Sequence, residues 1–129
     1  MKLYRLMKKA RDGLPVVGIK FGMLGVRPKN SLKPKNRFDV PAILPFDLVR
    51  LGDGGLSVNV DPDELKPPDE EFVLWVIDSE HLEFGLEAIP ANPPHYIIGV
   101  TVEMTLVDFQ QCLTATRNHW QLVQLEEEQ

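Results

Sequence analysis

Only one stretch of this 129-residue chain carries a sustained helical period. In TLVDFQQCLTATRNHW (105–120), Leu106, Phe109, Leu113, Thr116 and Trp120 recur at spacings of 3, 4, 3 and 4, which aligns them on one helix face. Thr105 stands where a capping side chain belongs, and Asp108 follows it three residues on, as in a capping box. Elsewhere the chain consists of short apolar runs broken by Gly and Pro, the pattern of strands and turns. One helix among many short runs predicts a single α+β domain over 1–129: a bent, mostly antiparallel sheet with a few short helices and a C-terminal helix.

The runs can be placed one by one. KLYRLM (2–7) alternates and predicts a first strand; LPVVGI (14–19) and GMLGVR (22–27) predict short strands ending at glycines. The stretch 28–45 holds four prolines and no period, and reads as one long loop. A glycine-rich GDGG leads into a strand at 55–60, and DPDEL (61–65) predicts one helical turn. FVLWVI (72–77) predicts a central strand. SEHLEFGLEAI (79–89) is expected to form a short helix capped by Ser79, and HYIIGVTVEM (95–104) one long strand. The acidic tail 125–129 is expected to fray.

Composition sets the class. Hydrophobic content of 43% and charged content of 26% are those of a soluble globular protein large enough for its own core. No apolar run approaches the roughly 18 residues needed to cross a bilayer, and the charged N-terminus lacks a signal-peptide core. The single Cys112 cannot form an internal disulfide, and no Cys/His cluster has metal-ligand spacing. A cytosolic setting, no membrane and no metal are the expectations.

Charge is divided along the chain. Residues 1–37 hold 11 of the 14 Lys+Arg against the single acid Asp12, a net of +10. Residues 38–129 hold the remaining three bases against 18 acids, a net of −15. Either the parts neutralise one another in the fold, or the basic third rims an anionic ligand. The acidic remainder disfavours a nucleic-acid partner.

Several residues invite a chemical reading. On an alternating first strand, Leu3, Arg5 and Met7 share a face, with Tyr4 on the other. Arg5 either snorkels at a sheet edge or holds its guanidinium in a cleft to fork onto an anion. Gly54 and Gly55 serve either a hairpin turn or a groove wall against which a flat ligand lies, with Ser57 facing away from Leu56 and Val58. Dinucleotide-loop, P-loop and nucleophile-elbow motifs are absent. His95, before Tyr96, stands where a pocket can open; His119 reads as a surface residue, and His81 has acidic neighbours. Glu103 is either an electrostatic partner for Arg5 or a solvent-side residue of an edge strand.

Taken in order, Leu3-Tyr4-Arg5, Gly54-Gly55-Leu56-Ser57-Val58, His95-Tyr96 and a helix ending in Trp120 resemble the bacterial type VI secretion toxin effectors with an ADP-ribosyltransferase-like fold. The resemblance spans residues 3 to 120 through short motifs, with Leu56 where that family carries a hydroxyl residue. It implies an NAD-dependent ADP-ribosyltransferase that cleaves the nicotinamide–ribose bond and transfers ADP-ribose to an acceptor of unknown identity. Arg5, Ser57 and Glu103 would be catalytic. Tyr4, Arg5, Gly55, Ser57, His95 and Tyr96 would hold NAD: Arg5 on the pyrophosphate or ribose, Gly55 giving room to the nicotinamide. An immunity or antitoxin protein would be the partner. Two other readings stay open: a non-catalytic interaction module, such as one half of a toxin–immunity pair, and an RNA-directed protein using the basic segment.

Overall fold

The computed structural model describes residues 1–33 and 35–124, so the frayed tail expected at 125–129 lies outside the described residues. The fold is mixed α+β, as the runs predict. Its strands are β1 (Lys2–Met7), β2 (Leu48–Val49), β3 (Leu56–Asn59), β4 (Val73–Asp78), β5 (Leu86–Asn92), β6 (His95–Val100), β7 (Met104–Thr105) and β8 (Gln121–Leu122), with one helix, α1 (Leu106–Ala115). Six strands form one sheet in the order β5-β6-β3-β1-β4-β8, every neighbour antiparallel, while β2 and β7 pair apart from it.

The core lies on one face of this sheet. Leu3 and Met7 of β1, Leu56 and Val58 of β3, Trp75 and Ile77 of β4 and Ile98 of β6 are all buried there. Against them pack Leu106, Phe109 and Leu113 of α1, and then Trp120. Thr105 caps α1 as expected, its Oγ1 accepting from Asp108 N at 3.2 Å. The predicted helix stops early, at Ala115. Thr116 tightens the chain by donating N–H and hydroxyl to Leu113 O, at 3.1 and 2.6 Å, and a 3-10 turn (Arg117–His119) follows. Trp120 still reaches the core, with its Nε1 donating to Thr116 Oγ1 at 3.0 Å. The apolar face is intact although the helix is shorter.

Three further expectations are corrected. Residues 14–19 and 22–27 form turns joined by the isolated bridges Lys9–Pro15 and Val17–Leu24, not strands. Only the second run reaches the core: Leu24 and Val26 are core residues, and Gln110 of α1 clamps Val26 by its side-chain amide (2.6 and 3.0 Å), whereas Val17 and Ile19 of the first run are exposed. The helix expected at 79–89 is a 3-10 turn (Ser79–His81) capped by Asp78 rather than Ser79, followed by β5. Pairing with β6 overrides the local helical spacing there, and β5, as an edge strand, tolerates Pro90. The long strand expected at 95–104 ends at Val100, and Met104–Thr105 pairs with β2 instead. By contrast, the turn after Asp61 (Pro62–Glu64) and the irregular 28–45 stretch, described except at residue 34, are as expected.

Electrostatic ties close the surface. Arg117 grips Asp12 at 2.6 and 2.9 Å and donates through Nε to Pro15 O, joining the two ends of the chain. The Arg117 guanidinium holds the Asp12 carboxyl below its usual range, and backbone N–H donors do the same for Asp47 and Asp78. Each folded value is depressed, so the stability these groups contribute is complete above the ordinary carboxylate value near pH ~4 and is lost as pH falls through the folded values. Thermal melts followed by circular dichroism should show a melting temperature that falls as pH drops below ~4.

Candidate functional site

The cleft originates in a fork between β1 and β3. These strands pair at a single position, Tyr4 opposite Asn59, and then diverge. The N–H of Val60 bonds to Pro94 O on the β6 side, so by alternation the Ser57 carbonyl faces β1 across the gap. No β1 backbone group fills that gap. The Arg5 guanidinium does, donating from Nη1 to Ser57 O at 2.8 Å and from Nη2 to Met23 O at 3.0 Å. Among the described residues its buried Nε finds no acceptor.

Strand parity explains how these groups meet. Arg5 lies opposite Trp75 in the register, on the core face with Leu3 and Met7. Ser57 faces away from the core and is exposed, beside the Tyr4, Asn59 and His95 register positions. In an unbroken sheet Arg5 and Ser57 would be separated by the backbone; the fork lets the guanidinium reach through. A cavity of about 330 Å³ opens there, lined by Tyr4, Arg5, Ser57, Asn59 and His95 on the sheet side. Ser57 Oγ and His95 Nε2 are 2.6 Å apart, a short hydrogen bond from the middle of β3 to the first residue of β6.

The opposite wall comes from the basic third. Arg27 and Asp39 line it as a forked pair, Nε to Oδ2 at 3.2 Å and Nη2 to Oδ1 at 3.1 Å, and Arg27 N also donates to Asp39 Oδ2 at 2.7 Å. The pair raises the Arg27 pKa above its ordinary value. Burial lowers the Arg5 pKa to about 10; the Asp39 charge opposes this and the Arg27 charge adds to it. Arg5 therefore stays charged at neutral pH while poorly hydrated, a state in which hydrogen bonds to it are strong.

Sequence-predicted residues divide accordingly. Tyr4, Arg5, Ser57 and His95 share the cavity. Gly55 serves a different purpose. A Cβ there would stand 2.2 Å from Ile98 O, so this glycine lets β3 approach the β6 backbone rather than a ligand. Tyr96 lies opposite Val58 on the core side and packs against the core, away from the cavity wall. Glu103 lies between a bend at residues 101–102 and β7 and pairs at 3.4 Å with Arg50, both side chains being half exposed or more. It is not a partner for Arg5, because the long strand that would have carried it there ends at Val100. Exposed pairs of this kind contribute ~0–1 kcal/mol. Glu103→Gln should shift the unfolding free energy by no more than ~0.5 kcal/mol in urea melts.

Glu64 and Asn59 also line the cavity, although the predicted strand at 55–60 and turn at 61–65 do not single them out as site residues. Asn59 Oδ1 accepts from Asp61 N at 2.8 Å, turning the chain off β3, and the Pro62–Glu64 turn then carries Glu64 to the cavity rim. The Asn-x-Asp-Pro spelling is the available signal, since both Asn59 and Asp61 cap local N–H groups. His81 and His119, distant in sequence, stack on each other with centroids 4.5 Å apart, a contact that no sequence pattern marks. Among the described residues, no group of three or more His, Cys, Asp or Glu is placed to hold a metal ion, and no helix is long and apolar enough to cross a membrane. No protein-family model, curated protein or solved structure matches the chain.

Proposed function

We propose that the fork between β1 and β3 is an NAD site and that the chain is a toxin-type, NAD-dependent ADP-ribosyltransferase. One observation carries the reading: Arg5, Ser57 and His95, drawn from three strands, line one cavity at the point where the sheet splits. Their order along the chain is the order in the toxin effectors it resembles.

In this reading the C1′–N bond to nicotinamide breaks with its electron pair leaving on the nicotinamide ring nitrogen. An acceptor nucleophile then bonds to C1′ and releases its proton. The protein positions the reactants and stabilises developing positive charge on the ribose. Ser57 Oγ, fixed by His95 at 2.6 Å, orients the ribose. Arg5 is a positioning residue, because Nη1 and Nη2 bond to Ser57 O and Met23 O and hold the fork open at a set width. The carboxylate role falls to Glu64 on the cavity rim: among the described residues no ion pair holds it, whereas Asp39 is held by Arg27. Purified protein incubated with NAD should release free nicotinamide, measured by chromatography, and Glu64→Gln should slow that release by about tenfold or more. No release from the intact protein, with or without a cell lysate as acceptor source, overturns the reading.

A non-catalytic interaction module, such as one half of a toxin–immunity pair, is the second reading. It draws on the apolar side chains left in solvent, Leu32 and Phe84 at 90% exposure and Phe46 at 81%.

A further inference from the structure

The +10 charge of residues 1–37 is only partly neutralised by the fold. Lys8 pairs with Glu71 and Arg27 with Asp39, but among the described residues no ion pair takes up Lys20, Lys29, Lys33, Lys35 or Arg37. Lys20, Lys29 and Arg37 line a groove of about 750 Å³, and no described residue lining it is acidic. Its floor and edges are also apolar: Phe21 is 67% exposed, Ile19 54% and Leu32 90%. The groove adjoins the cleft, since Phe21 and Arg27 line both.

We propose that this groove docks the ADP-ribose acceptor, and that the acceptor is an acidic polypeptide segment carrying apolar side chains. The assignment of the occupant as acceptor rests on the NAD reading of the cleft; the docking surface itself does not. Charge complementarity selects an anionic partner, because four cations line the groove, three of them in no ion pair among the described residues, and no described lining residue is a carboxylate. Exposed Ile19, Phe21 and Leu32 select one with apolar anchors. A polynucleotide fits less well, since its uniform charge would extend past the groove over a remainder of net −15. An acidic segment of a protein presents its charge only where it docks.

The test uses the full chain and a fluorescein-labelled peptide of repeating Glu-Glu-Leu units, followed by anisotropy at roughly 0.1 M salt, where the Debye length is about 10 Å. The peptide should bind and be released by added salt. The double variant Lys29→Glu/Arg37→Glu should weaken binding by about tenfold or more while leaving nicotinamide release from NAD unchanged when no protein acceptor is present. A single-stranded oligonucleotide or phosphatidylserine vesicles held more tightly than the peptide would overturn the proposal. So would peptide binding that ignores the double variant, or no binding at all. Peptide binding sensitive to the double variant, in a protein that releases no nicotinamide, would sink the NAD reading and leave the docking surface standing.

Discussion

Ser57→Ala should reduce nicotinamide release from NAD by about 100-fold or more while leaving the fold intact. The two halves of that expectation have separate causes. Ser57 is exposed on β3, facing away from the core, and its side chain bonds only to His95 among the described residues. Removing one exposed hydroxyl should change stability by no more than ~0.5 kcal/mol. The structural service of Ser57, accepting the hydrogen bond from Arg5 Nη1, uses its backbone carbonyl, which alanine retains. Lost activity therefore reports on the hydroxyl itself. His95→Ala should give a loss of similar size, because it frees the same hydroxyl to rotate. The double variant should be little worse than either single, as expected for groups acting as one unit. Nicotinamide release that survives both single substitutions would remove Ser57 and His95 from the chemistry.

Arg5 is distinguished by the opposite pattern. Its replacement by alanine leaves two backbone carbonyls, of Ser57 and Met23, without their donor and empties the gap between β1 and β3. The Met23 bond is part-buried and the Ser57 bond exposed, so the larger cost comes from the gap left by the buried Arg5 side chain, about 1–3 kcal/mol in all. Arg5→Ala should thus lose stability and activity together, whereas Ser57→Ala loses activity alone. Arg5→Lys cannot restore both bonds, since a single ammonium replaces a planar fork.

How much of this is legible in the sequence varies with the kind of signal. Strand alternation places Arg5 on the face of Leu3 and Met7, and the register bears that out. The helical period finds α1's buried face down to Trp120, though not the point at Ala115 where Thr116 breaks the helix. Apolar runs mark neither burial nor backbone form dependably: Leu24 and Val26 are core residues on turns, Val17 and Ile19 of the neighbouring run are exposed, and Leu86 and Ile89 belong to an edge strand. Tyr4, Arg5, Ser57 and His95 can be named because each begins or punctuates a strand. Glu103 is misplaced by its sequence because one continuous apolar run spans two strands, and its carboxylate sits on Arg50 instead. Glu64 is invisible for the converse reason. Its nearness to Ser57 depends on how tightly the chain turns at Asn59 and Asp61, a matter of side-chain caps rather than of periodicity.

Gly54→Ala and Gly55→Ala should each destabilise the fold by roughly 3 kcal/mol or more, lowering the melting temperature by roughly 10 °C. A Cβ on Gly55 would meet Ile98 O at 2.2 Å and Ile98 C at 2.9 Å, both backbone atoms of β6 held in the β3–β6 ladder. A methyl group there cannot be accommodated by a rotamer change; the ladder itself must move. Gly54 carries a second constraint. Its φ of +109° belongs to glycine, and a Cβ would stand 2.1 Å from Asp39 O, in the residue that fixes Arg27 at the cavity wall. The GDGG stretch is therefore a seam where the 28–45 loop and β6 both close on β3, and the cleft depends on it indirectly. If these glycines instead made room for a flat ligand, Gly55→Ala would fold with an unchanged melting temperature and lose only NAD turnover. Thermal melts of the two variants beside Ser57→Ala separate these cases, because only a packing seam gives alanine at 55 a large melting-temperature loss while alanine at 57 gives almost none.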